Sequence, residues 1–152
     1  MAKLKLSKSA LQQERNQLKL YQRTLPSLDL KRRQLTVELA RARRALADAR
    51  RAVEELETNI GRQLPMLANP DIEVSDLVQM TDFELGEENV VGVRLPMLER
   101  IHCSVADYSL LAKPAWVDVL VQRLKDAAEQ RTEVLVAEER VRILEVQEKR
   151  VT

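Results

Sequence analysis

The chain has 152 residues, of which 45% are apolar and 32% charged, a net charge of +1, and only one Trp, two Tyr and one Phe. A length of this order holds one domain, and so few aromatic rings exclude the broad core of a mixed-sheet enzyme. Arg, Lys, Glu, Leu, Ala and Val dominate instead, which is the composition of long helices packed along a seam.

No apolar run approaches the ~20 residues needed to cross a bilayer, and the N-terminal stretch lacks the apolar block of a secretory signal. A cytoplasmic protein without direct membrane insertion is expected. The single cysteine, Cys103, excludes an internal disulfide, and with one histidine, His102, the chain cannot supply a His/Cys zinc cluster. No metal, cofactor or catalytic residue is expected.

Charge and breakers divide the chain into three. Residues 1–62 carry a net of +8, residues 63–113 a net of −6 and residues 114–152 a net of −1. Gly61, Pro65, Pro70, Gly86, Gly92, Pro96 and Pro114 all fall in or beside the middle part, and Pro26 alone lies outside it. The order is helix, irregular middle, helix.

In the first arm, Leu4, Leu11, Leu18, Leu25, Leu39, Leu46, Val53 and Ile60 recur at sevens, with Arg32 as the exception. A second series three positions on, Tyr21, Leu28, Leu35, Ala42, Ala49 and Leu56, completes a heptad seam. A strict seven-residue period implies a left-handed supercoil. About 60 helical residues would span roughly 90 Å, so an elongated shape is expected. Pro26 removes a backbone donor, yet the register passes through it unbroken. A kinked but continuous helix is therefore favoured over a break capped by Ser27. Gly61 and Pro65 are read as closing this arm.

The middle segment, 63–113, reads as a short β-hairpin, with strands from Val78 to Glu84 and from Asn89 to Leu95 around Gly86, Glu87 and Glu88. Leu95, Pro96, Met97 and Leu98, with Ile101 and Leu110-Leu111, are expected to pack across the tip of the helical pair.

The last arm, 114–152, opens at Pro114, a favoured first-turn residue. Its apolar stripe is Val117, Leu120, Leu124, Ala127, Val134, Ala137, Val141, Leu144 and Val151, interrupted by Arg131. The predicted fold is mainly α: one elongated domain, a long antiparallel two-helix coiled-coil hairpin with a short β-hairpin in its middle. The arms are unequal, and some 20 residues at the start of the first have nothing in this chain to bury Leu4, Leu11 and Leu18. Either the native chain continues past Thr152 or another subunit covers that end.

His102 beside Cys103 is the one pair of reactive side chains, but neighbours on a strand point to opposite faces, so a partly buried structural pair is expected. The three isolated glycines make no phosphate loop. Carboxylates such as Glu138 and Glu139 fit a solvated face better than a general base. The basic run Arg41, Arg43, Arg44, Arg50 and Arg51 is the most informative cluster. Ion pairs with Glu129, Glu133, Glu138 or Glu145 on the returning helix are favoured. Contact with an acidic protein surface comes next, and nucleic acid last, because no aromatic side chains accompany the arginines.

Lys5-Leu6-Ser7-Lys8 through Leu11, Leu18 and Tyr21, then Leu28, Lys31-Arg32 and Leu35, resembles the start of the D subunit of V/A-type rotary ATPases. Asn89-Val90-Val91-Gly92-Val93 with Pro96 is similar to that family's mid-chain segment, and Pro114-Ala115-Trp116-Val117-Asp118 to the start of its second long helix. Arg33, Pro26 and the end at Thr152, short of where that helix usually stops, depart from the pattern. The resemblance implies a non-catalytic central-stalk rotor subunit that transmits torque between a nucleotide-binding hexamer and a membrane ion-translocating rotor. Its implied partners are the catalytic and regulatory subunits of the hexamer, a small companion stalk subunit and a membrane-side coupling subunit. Location is then cytoplasmic, peripheral to the membrane. Arg41, Arg43, Arg44, Arg50, Arg51, Gly92 and Pro96 are the candidate partner contacts. The alternatives are a homodimeric coiled-coil scaffold or a nucleic-acid-binding helical protein.

Overall fold

The structure, a computed structural model, describes residues 7–63, 77–107 and 116–152. Four elements follow in order: helix α1 (Lys8–Gln63), strand β1 (Val78–Val90), strand β2 (Val93–Val105) and helix α2 (Trp116–Val151).

Helix α1 runs 56 residues without interruption. Ser7 caps it, its hydroxyl accepting from the Ala10 N–H at 3.2 Å, and Arg62 in the last turn complements the negative end of the dipole. Pro26 lies inside it, as the unbroken register predicts, and Gly61 lies inside it too. Pro65 and Pro114 are outside the described residues, as are Leu4, Leu110 and Leu111.

The two helices pack antiparallel. Arg43 meets Glu145 at 2.8 Å and Arg50 meets Glu138 at 2.7 Å, so seven residues forward on α1 is seven back on α2. Leu35 and Leu39 are buried against Leu144, with Ala42 and Val141 packed around them. A two-helix pair covers only one side of each helix, so Leu46, Ala49, Val53 and Leu56 remain half-buried.

β1 and β2 form an antiparallel hairpin of 13 residues per strand, longer than the strands the sequence predicts. The predicted turn at Gly86–Glu88 is misplaced: Glu87 and Glu88 pair with Pro96 and Leu95 inside the ladder. The chain reverses instead at Val91 and Gly92, whose φ values of 54° and 77° make the two-residue turn that matches strand twist. Asn89 stabilises it by accepting the Gly92 N–H on its side-chain oxygen at 2.9 Å. A β-branched residue is a poor occupant of this backbone region, which hid the turn. Val91 is held there by packing onto the Leu35–Leu144 cluster.

The hairpin also lies elsewhere than expected. It runs lengthwise beside α2 rather than across a tip. Its base packs through Leu77, Val78 and Val105 on Val117, Leu120 and Val121, and its turn end packs through Val93 and Leu95 on Leu35, Leu39 and Leu144. The stripe at Val117 and Leu120 therefore serves the hairpin, while Leu144 serves both the hairpin and α1.

Candidate functional site

Periodicity along α1 decides where the arginine run points. Arg43 and Arg50, one heptad apart, flank the seam and reach Glu145 and Glu138 on α2. One heptad further, the polarity reverses: Glu57 on α1 receives Arg131 of α2, with Nε at 3.1 Å. Arg131 thus interrupts the apolar stripe to continue the ladder of ion pairs. Glu57 was legible in principle, since it occupies the heptad position of Arg43 and Arg50.

The remaining arginines point away from α2. Arg41 pairs with Glu38 at 2.7 Å and Arg51 with Asp48 at 3.7 Å, each within α1 and three residues apart. Arg44 is exposed and makes no ion pair among the described residues. These pairs are all water-exposed, so each is worth at most about 1 kcal/mol. They set alignment more than strength. Arg41, Arg44 and Arg51 form the outward basic face, and Arg43 and Arg50 are occupied in holding the helices in register.

Gly92 and Pro96 are not part of that face. Gly92 sits in the hairpin turn close to Lys31, and the Pro96 carbonyl accepts from Arg140 at 3.1 Å. Arg140, which no sequence pattern singled out, also bonds Glu88 at 2.8 Å and so ties both strands of the hairpin to α2. It is the least exposed of the ion-paired arginines, at 26%.

His102 and Cys103 separate as strand geometry requires, but His102 is exposed rather than partly buried. It meets Glu84 across the hairpin at 3.1 Å, while Cys103 stands opposite Met80. Glu139 is held below its usual carboxylate range by the hydrogen bond from Arg142, which is itself raised. That contribution is present above the ordinary carboxylate pKa and lost as pH falls through the lowered one. An open groove of about 430 Å³ lies between the helices, lined by Arg50, Val53, Glu54, Arg131, Val134 and Leu135. Among the described residues no group of His, Cys, Asp or Glu could hold a metal, and no helix is long and apolar enough to cross a membrane.

The sequence matches the family model for the D subunit of ATP synthase over residues 10–152. The chain belongs to the ATP synthase D-subunit family. Among its curated relatives, the V-type ATP synthase D subunit of Chlamydia muridarum is 30% identical over 99% of this chain and 75% of its own length. Its counterpart in Chlamydia abortus is 33% identical over 95% of this chain and 70% of that protein. That of Borreliella burgdorferi is 26% identical, over 95% and 71% respectively. In this member of the family, two long helices packed together carry an antiparallel hairpin between them.

Proposed function

We propose that this chain is the non-catalytic central shaft of a V/A-type rotary ATPase. It transmits torque between a nucleotide-binding hexamer and a membrane ion-translocating rotor, as a single elongated unit. The observation that carries the reading is the pairing of α1 with α2 in one repeating register, Arg43 to Glu145, Arg50 to Glu138 and Glu57 to Arg131. Torque on a shaft tends to slide its helices past one another. An apolar seam flanked by ion pairs at three successive heptads opposes that slip, because a shift of one residue unpairs all three together. The V-type ATP synthase relatives support the same assignment.

The partners are then the catalytic and regulatory subunits of the hexamer, a small companion stalk subunit and a membrane-side coupling subunit, with the chain working at the cytoplasmic side of the membrane. Arg41, Arg44 and Arg51 are the part of the arginine run that can bear on the hexamer, since Arg43 and Arg50 are engaged with α2. Gly92 and Pro96 contact partners through the hairpin. Packing of α2 of the same chain on the α1 seam beyond Leu35 supports the internal hairpin over a homodimeric scaffold built on that part of the seam.

Co-purification of the natural chain with a hexameric ATPase headpiece tests the class. Recovery with nucleic acid instead, weakening steeply with salt, would sink it. Reversal of Arg41, Arg44 and Arg51 to Glu should leave the fold intact and impair ATP-driven ion pumping in the reconstituted complex. Unchanged pumping would remove the bearing-face assignment.

A further inference from the structure

The hairpin is fastened to α2 at its two ends. At the base Leu77 packs with Val117, Leu120 and Val121, and near the turn Val93 and Leu95 pack with Leu144. Apolar contacts of this kind resist separation but have no direction, so by themselves they do little to fix where along the helix the strands sit. Between the two ends the contacts turn polar. The hydroxyl of the buried Thr132 lies 3.5 Å from the Met80 sulfur, and Arg140, one turn before Leu144, bonds the hairpin directly.

Arg140 reaches an acceptor on each strand. Its Nη1 donates to the Pro96 carbonyl of β2 at 3.1 Å, and its Nη2 to a carboxylate oxygen of Glu88 on β1 at 2.8 Å. Glu88 stands opposite Leu95 and Pro96 opposite Glu87, so the two acceptors lie on neighbouring rungs of the ladder. A guanidinium presents its N–H groups in one rigid plane. Both bonds therefore hold at one position of the hairpin on α2, and a slide of one residue, about 3.3 Å, loses them together. The main-chain acceptor sharpens this, since a strand carbonyl cannot follow the arginine by changing rotamer. Arg140 is also better shielded from water than Arg43, Arg50 and Arg131 in the α1–α2 ladder, so solvent and salt screen its bonds less.

We propose that Arg140 is the positioning residue that locks the hairpin on α2, so that hairpin and shaft turn as one body. Its part in coupling rests on the rotor reading, while the lock itself is measurable on the free chain. A rotor passes load between its parts only if they do not slip, and load entering at the hairpin meets its directional stop at this guanidinium.

The test compares the wild-type full chain with Arg140→Ala, Arg140→Lys and Glu88→Gln, free and in the reconstituted rotary complex. In the free chain Arg140→Ala should speed amide exchange across residues 86–98 by about tenfold or more, with the helix pairing around Arg50 and Glu138 unchanged. Arg140→Lys keeps the charge but loses the fork, and Glu88→Gln keeps the fork but loses a charge, so each should give a smaller rise at the same residues. In the complex Arg140→Ala should retain ATP hydrolysis while fewer ions are pumped per ATP. A merely structural role would lower hydrolysis and pumping together. Unchanged exchange at 86–98 in Arg140→Ala, or faster exchange throughout the chain, would overturn the lock. Exchange in Arg140→Lys equal to wild type would show that charge alone suffices and overturn the two-strand clasp. Local loosening with an unchanged pumping ratio would overturn the role in coupling and leave the rotor reading standing. Failure of the wild-type chain to form a pumping complex would overturn the rotor reading, and the role in coupling with it.

Discussion

Gly92 occupies a backbone region that L side chains adopt poorly, at φ 77°, and its N–H is bound by Asn89. Gly92→Ala should cost about 1 kcal/mol, seen as a lower midpoint in urea with the slope unchanged. Val91, also at positive φ, tolerates the strain because its side chain packs on the Leu35 cluster. Gln130 works in the opposite sense. Its side-chain oxygen is buried with no partner among the described residues, and an unsatisfied buried acceptor costs about 1–3 kcal/mol. Gln130→Leu should therefore raise the thermal midpoint, by an amount corresponding to about 1 kcal/mol. An unchanged or lowered midpoint would show that the oxygen is satisfied in solution.

Among elements, the hairpin braces both helices rather than decorating a loop. The Leu35–Leu39–Leu144 cluster also takes in Val93 and Leu95, so α1, α2 and β2 share one packed core at the turn end. Leu35 is fully buried there. Leu35→Ala should cost about 2–5 kcal/mol and speed hydrogen exchange in β2 near Leu95 as well as in α1. Faster exchange confined to α1 would show that the hairpin is held independently, through Arg140 and the Leu77 cluster. The helices and their heptad phase were legible because a seven-residue repeat over many turns has no strand-like equivalent. The turn was not, because Val-Val-Gly lacks the usual Asn-Gly signal and its strain is offset by contacts distant in sequence.

For the whole molecule, the unequal arms counted from sequence reappear as exposure. Every residue of α1 from Leu11 to Leu30 is exposed, including Leu18 at 56%, Leu25 at 62% and Leu28 at 49%. Each such leucine forgoes roughly 1.5–3 kcal/mol of burial until something covers it. The isolated chain should bind an apolar dye through this face. Leu18→Gln with Leu25→Gln should lower the dye signal while shifting stability by no more than about 0.5 kcal/mol. A large drop in melting temperature would mean that these leucines are packed in solution. Heptad phase alone separates Arg43 and Arg50, beside the seam, from Arg44 and Arg51, one position further out, but which carboxylates of α2 they meet came only with the structure.

Local repetition by itself determined that two long amphipathic helices exist and which side chains make the seam of the first. Each of these follows from the spacing and number of apolar side chains. Tertiary structure decided how the acidic middle is used. The position of its turn, its placement along α2, and the partners of the seam arginines depend on contacts between residues far apart in the chain. No local pattern encodes such contacts, because their energy appears only once both partners are in place.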